Sequence, residues 1–107
     1  MPDIVLGDFE QLVLLALMRQ GADAYGVSIA SEISDRAGRD VSIGAVYKAL
    51  ERLEDKGFVA SLVGEPTPER GGRRKKYFRL LPAGQRALRA SLAAIARMTD
   101  GLEARLK

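Results

Sequence analysis

The chain has 107 residues and a formal net charge of +3, with no cysteine and no histidine, a length that suits one domain with a modest core. Without cysteine there is no disulfide, thiolate catalysis or cysteine-ligated zinc, and without histidine the commonest remaining metal ligand and general base is missing too. The acids are scattered, no glycine-rich phosphate loop follows a strand, and no nucleophile–base pair can be drawn, so no enzyme, metal or cofactor is expected.

The start, Met1-Pro2-Asp3, lacks the positive flank of a signal peptide. The longest apolar run, Leu12 to Met18, is far too short to span a bilayer. A cytoplasmic protein with no membrane partner is expected. A first helix should run from an Asp8 cap to about Gln20, stopped by Gly21. Its Leu12–Met18 segment is apolar all round, which demands cover on more than one side. Two sources of cover stay open: a second subunit laid against Leu12 and Leu15, or the chain's own elements wrapped around a central helix.

A second helix is expected from about Ala24 to Ala37, with Tyr25, Ile29, Ala30, Ile33 and Ala37 on one face and Gly38 ending it. Arg39-Asp40-Val41 suits a short extended piece. Ser42 then has the chemistry of an N-cap for a third helix that Gly57 closes. On that helix Ile43, Val46, Leu50 and Leu53 form the buried stripe, Gly44, Ala45, Lys48, Glu51, Arg52 and Asp55 point away, and Tyr47 lies on the flank.

Two strands follow, Phe58 to Val63 and Lys75 to Leu80, the second with Phe78 and Leu80 inward and Tyr77 and Arg79 opposite. The proline- and glycine-rich run from Glu65 to Gly72 should form a long mobile tip between them. Pro82 opens a last helix in which Leu88, Leu92, Ile95, Thr99, Leu102 and Leu106 alternate steps of four and three, a seven-residue repeat with one polar interruption. Those residues could lie on the domain's own core, but the helix outruns what so small a core can cover, so Leu88, Leu92, Ile95, Thr99 and Leu102 are the expected homodimer interface, joined by Leu12 and Leu15 where a second subunit covers the first helix. Gly101 should let its far end fray.

Charge is distributed unevenly along this frame. Residues 1–69 carry six basic and twelve acidic side chains, whereas residues 70–89 carry eight basic and no acidic ones. A concentrated surplus draws phosphate where a diffuse one serves solubility. A helix followed at once by a hairpin with a cationic tip has the shape to grip duplex DNA, the helix in the major groove and the tip on adjacent phosphates. Gly44 and Ala45 let the helix start approach closely, and the amides there can receive a phosphate. The expected contacts are Ser42, Gly44, Ala45, Tyr47, Lys48 and Arg52 on the helix, with Arg70, Arg73, Arg74, Lys75 and Lys76 on the hairpin. Glu51 and Asp55 repel phosphate and should tilt the far half of the helix away. The plainer alternatives are a solvated basic loop, and Lys48 and Arg52 as surface charges paired with Glu51 or Asp55.

The order is mainly α with a small β-hairpin: a winged helix-turn-helix over residues 1–81, then a dimerisation helix over 82–107. The chain resembles the PadR family of bacterial transcriptional regulators. The resemblance is strongest in Ser42-Ile43-Gly44-Ala45-Val46-Tyr47, Leu50-Glu51-Arg52-Leu53-Glu54 and Lys56-Gly57-Phe58-Val59. It is supported by Tyr25-Gly26 and by Arg74 to Leu80 leading to Pro82-Ala83-Gly84. It implies a dimeric repressor, occasionally an activator, on inverted-repeat operators, with the first and terminal helices building the dimer. A single terminal helix places it with the short subfamily. Lys48 stands where many relatives have proline, and the absence of tryptophan argues against an effector held between indoles. Whether a small-molecule effector exists stays open, and the alternative use of the fold is a protein-interaction module without specific DNA binding.

Overall fold

A computed structural model describes residues 6–64 and 75–107. The first helix, α1, spans Asp8–Gln20, and its cap is Gly7 rather than Asp8. Glu10, three residues beyond the cap, reaches back to accept from the Gly7 amide at 2.9 Å, the second half of a capping box. Asp8 therefore takes the first helical position, where a carboxylate suits the positive end of the helix dipole, and meets Arg39 at 3.1 Å. The helix stops at Gly21, whose φ of 68° suits only glycine. Val13, Leu14, Ala16 and Leu17 are buried by the chain itself, because α1 packs against each of the other helices and the last strand. Leu12 and Leu15 stay half-covered.

Ala24–Tyr25, expected as the first turn of the second helix, is instead a short strand, β1. The second helix, α2, spans Gly26–Ala37, with Ile29, Ala30 and Ile33 buried and Ala37 exposed beyond the core. The late start has a local cause: Ser28 Oγ accepts from the Tyr25 amide at 3.0 Å, closing the helix at that residue. Gly26 is needed there, since a Cβ would fall 2.5 Å from the Tyr47 ring. Gly38 ends α2 in the left-handed region at φ 64°. Arg39-Asp40-Val41 pairs with no strand among the described residues, and Val41 simply packs against the core.

The third helix, α3, spans Ile43–Asp55, and Ser42 Oγ accepts from the Ala45 amide at 3.1 Å as its sequence position foretold. Val46, Ala49, Leu50 and Leu53 are its buried face, whereas Ile43 is 45% exposed. At 100° per residue Ile43 falls about 70° from the centre of that face, and Ala49 takes the place assigned to it.

Gly57 turns the chain at φ 78° into β2, Val59–Val63, which pairs antiparallel with β3, Lys76–Leu80. Because β1 also joins β3, through Ala24 with Phe78 and Tyr25 with Tyr77, the sheet has three strands in the order β1-β3-β2 rather than the two expected. Tyr77 is half-buried on the outer face, edge-on to Tyr25 at 5.9 Å. The expected mobile tip, with Arg70, Arg73 and Arg74, lies outside the described residues.

The last helix, α4, spans Pro82–Thr99 with Pro82 at its first turn. The repeat read in the sequence does not continue as one helix. The chain turns at Asp100 and at Gly101, whose φ is 84°, and forms a single 3-10 turn at Glu103–Leu106, so Leu102 and Leu106 leave the register of Leu92 and Ile95. Only Gly84 and Leu88 of α4 are buried. The radius of gyration, 15.6 Å, exceeds the roughly 13 Å of a compact chain this long, as a helix running off its own core would make it. Among the described residues no helix is long and apolar enough to cross a membrane.

Candidate nucleic-acid interface

Ser42 sets the start of α3. Its hydroxyl takes the Ala45 amide, so the amides of Ile43 and Gly44 lie at an open helix start without helical partners. No atom lies within 4 Å of where a Gly44 Cβ would be, so this turn is open to close approach. Gly44, Ala45 and Lys48 are exposed on the expected face. Glu51 and Asp55 are exposed on the same face, while Glu54 is drawn inward by the Ser61 hydroxyl, which donates to it at 2.7 Å. The exposed acids of α3 thus lie in its far half.

Tyr47 proves to be a joint. Half-buried, its ring closes over Gly26 and meets Phe78 edge-on at 6.2 Å, fastening α3 to the start of α2 and to the sheet. The ammonium of Lys76 lies 5.5 Å from the centre of that same Phe78 ring, and the ammonium of Lys75 lies 4.5 Å over Tyr25. Phe78 therefore sits between the flank of α3 and a cation at the base of the β2–β3 hairpin. The helix and the root of the wing are joined through one buried ring.

Arg52, its side chain still 56% exposed, has its ion-pair partner on another helix. Its Nε lies 3.6 Å from Glu10 Oε2, and Lys56 Nζ donates to both oxygens of the same carboxylate at 3.2 and 3.1 Å. The partner is a residue of α1, not Glu51 or Asp55. Sequence reasoning missed Glu10, though an acid in a helix otherwise apolar all round was the signal to follow. Its carboxylate is 6% exposed. Burial pushes its pKa up most strongly, yet the Gly7 amide, the Lys56 ammonium and the Arg52 charge together outweigh burial and hold it below the usual glutamate range.

A carboxyl lowered by folding lends stability that is in place above its ordinary value, 4.5, and lost as the pH falls through its folded value. Thermal melts of the parent should accordingly lose stability on acidification below about pH 4.5 more steeply than those of Glu10→Gln. Asp8 and Glu32, lowered chiefly by hydrogen bonds from Arg39 and Arg36, act in the same direction in both proteins, so the difference isolates Glu10. Identical acid profiles would mean that Glu10 titrates alike folded and unfolded.

The residues expected at a dimer contact divide. Leu88 is buried in its own core and is not available to a partner. Leu12 and Leu15 line a groove of about 220 Å³ between α1 and α2. Leu92, Ile95 and Leu102 are 39%, 55% and 37% exposed, Thr99 turns its hydroxyl back to the Ala96 carbonyl, and Met98, not anticipated, is exposed as well.

The sequence profile of the transcriptional regulator PadR-like family matches residues 14–90. No curated relative matches significantly. A PadR family transcription regulator from hypervirulent Clostridium difficile R20291 is similar with a TM-score of 0.77 at 26% identity, covering 94% of this chain and 100% of its own. A PadR family transcriptional regulator from Eggerthella lenta DSM 2243 is similar at 0.68 and 29% identity, covering 91% of this chain and 82% of its own. A PadR-like regulator from Bacillus cereus strain ATCC 14579, at 0.73 and 16% identity, covers 92% of this chain and 91% of its own and shares the fold.

Proposed function

The chain belongs to the PadR-like family of transcriptional regulators, and from that premise we propose that it works as a homodimeric repressor bound to an inverted-repeat operator in duplex DNA. The observation that supports this reading most is the junction at Phe78, which places the Tyr47 flank of α3 and the Lys76 ammonium against one ring. A rigid unit of helix and wing can follow a groove and its bordering phosphates together. Residues 1–81 would hold the DNA and residues 82–107 would pair the subunits. Such a partner implies the cytoplasm.

In this reading two copies of α3 enter successive major grooves about 34 Å apart. Each leads with the turn at Ser42, Gly44 and Ala45, where the open amides of a helix start favour a phosphate oxygen. Lys48, one turn further on, is the cation nearest the base edges. Tyr47 contributes by holding the angle between α3 and the wing, with its ring edge toward the sugar side. Lys75 and Lys76, with Arg70, Arg73 and Arg74 of the hairpin, lie along flanking phosphates, which set affinity and register without reading sequence. If a dimer neutralises about 8 phosphates, log K falls with log salt at a slope of about −7.

Lys48→Ala is expected to weaken binding to the cognate operator by about tenfold or more, the size of one lost base contact, and to leave the melting temperature unchanged because the side chain is exposed. The operator comes from selection out of random duplex DNA, and titration of both proteins at one salt concentration gives the comparison. Equal affinities would remove Lys48 from the interface and overturn the docking of α3. Neutralising Arg73 and Arg74 together should flatten the salt slope for every duplex alike.

A further inference from the structure

Among the described residues Glu10 is the sole buried charged side chain, and its role is larger than capping α1. The Gly7 amide occupies only one oxygen. The carboxylate also holds Lys56 through both oxygens and keeps Arg52 within 3.6 Å. Both cations belong to the far half of α3 and its cap, whereas the carboxylate comes from α1. Burying a charge is costly unless partners compensate it, and cation contacts with phosphate are blind to sequence. Every cation of α3 beyond Lys48 is therefore engaged by Glu10, and the face left beside Lys48 is acidic through Glu51 and Asp55.

We propose that Glu10 is a specificity-determining positioning residue: by withdrawing Arg52 and Lys56 from the phosphate backbone it makes α3 dock by its first turns, the end that reads bases. This rests on the DNA-binding reading given above. It follows that loss of the carboxylate frees cations for indiscriminate contacts while leaving Lys48 and the start of α3 unchanged. Glu10 touches no DNA itself; it acts through the two cations it holds. The lowered pKa of its carboxyl is in keeping with this, since the group stays ionised across the neutral range.

The experiment uses the full chain, E10Q and E10Q/R52Q, each titrated with a selected operator and with random-sequence duplex from 50 to 300 mM salt. If one released cation per protomer reaches a phosphate, the E10Q slope steepens by about 2 per dimer. Its affinity for random duplex at low salt rises by about tenfold, and the ratio of operator to random binding falls by a similar factor. E10Q/R52Q should return most of the way to the parent slope, which a general loosening of the fold would not produce. A folded E10Q with the parent's slope and ratio overturns the withdrawal while leaving DNA binding intact. A parent protein that binds no duplex at 50 mM salt overturns both. Should E10Q not fold, E10Q/K56M removes the unpaired ammonium and releases Arg52 alone, and a steeper slope is still required of it.

Discussion

Leu92→Asp combined with Ile95→Asp should yield a protein that sediments as a folded monomer and binds a two-half-site operator about a thousandfold more weakly than the parent. The monomer has little to lose: Leu92 and Ile95 are 39% and 55% exposed, on the part of α4 beyond Leu88 that its own core leaves uncovered. A carboxylate at either place stays in water in the monomer but would have to be buried, unpaired, against a second copy. Operator affinity then drops because the second half-site is no longer held at high local concentration, an effect of roughly 10² to 10⁴. Sedimentation, circular dichroism and operator titration decide the matter together. A dimer that persists would place the subunit contact elsewhere, with the groove at Leu12 and Leu15 the next surface to test. A monomer that keeps full affinity would mean that each subunit reads DNA alone.

Gly84→Ala should lower stability by about 3 kcal/mol, which for a chain this size is a fall in melting temperature of roughly 15 °C. Two effects oppose each other here. Alanine is the better helix former by about 1 kcal/mol, so propensity alone would stabilise the variant. Against that, a Cβ at position 84 would lie 2.3 Å from the Phe58 carbonyl oxygen and 3.0 Å from Leu80 Cδ1. The oxygen cannot rotate aside, because it belongs to backbone that is held on both sides. Phe58 donates its amide to the Leu53 carbonyl at 2.9 Å, and its own carbonyl accepts from the Leu81 amide at 2.9 Å. Phe58 is thus the corner where α3, the hairpin and α4 meet, and the start of α4 would have to lift from it. Thermal denaturation settles the sign. A variant as stable as the parent would show that α4 does not rest on this carbonyl.

Much of the fold was legible from short stretches. Gly21, Gly38 and Gly57 end elements where a positive φ is required, Ser42 caps α3, and the wheel of α3 placed Gly44, Ala45, Lys48, Glu51 and Asp55 outward. Each of these depends on contacts within a turn or so of the residue concerned. The resemblance to PadR regulators was legible for a related reason, since it rests on several such local signals in a fixed order. The seven-residue repeat in α4 misled because periodicity tells which positions would align in a continuous helix, not whether the helix is continuous. Glycine at 101 turns at φ 84° with no Cβ to oppose it, and the helix ends there. Ile43 misled in a smaller way, since the wheel gives relative angles and only packing chooses the centre of the buried face.

The amino-acid order by itself determined where the first three helices stop, the cationic bias toward residues 70–89 and the outward face of α3, because helix periods, caps and charge act over a few residues. Only the tertiary structure decided that Ala24–Tyr25 is a strand, that Tyr47 and Lys76 meet at Phe78, and that Arg52 turns to Glu10. Those choices depend on partners far along the chain. The energy of a cross-strand pair, an aromatic contact or a buried ion pair exists only once folding has brought both sides together.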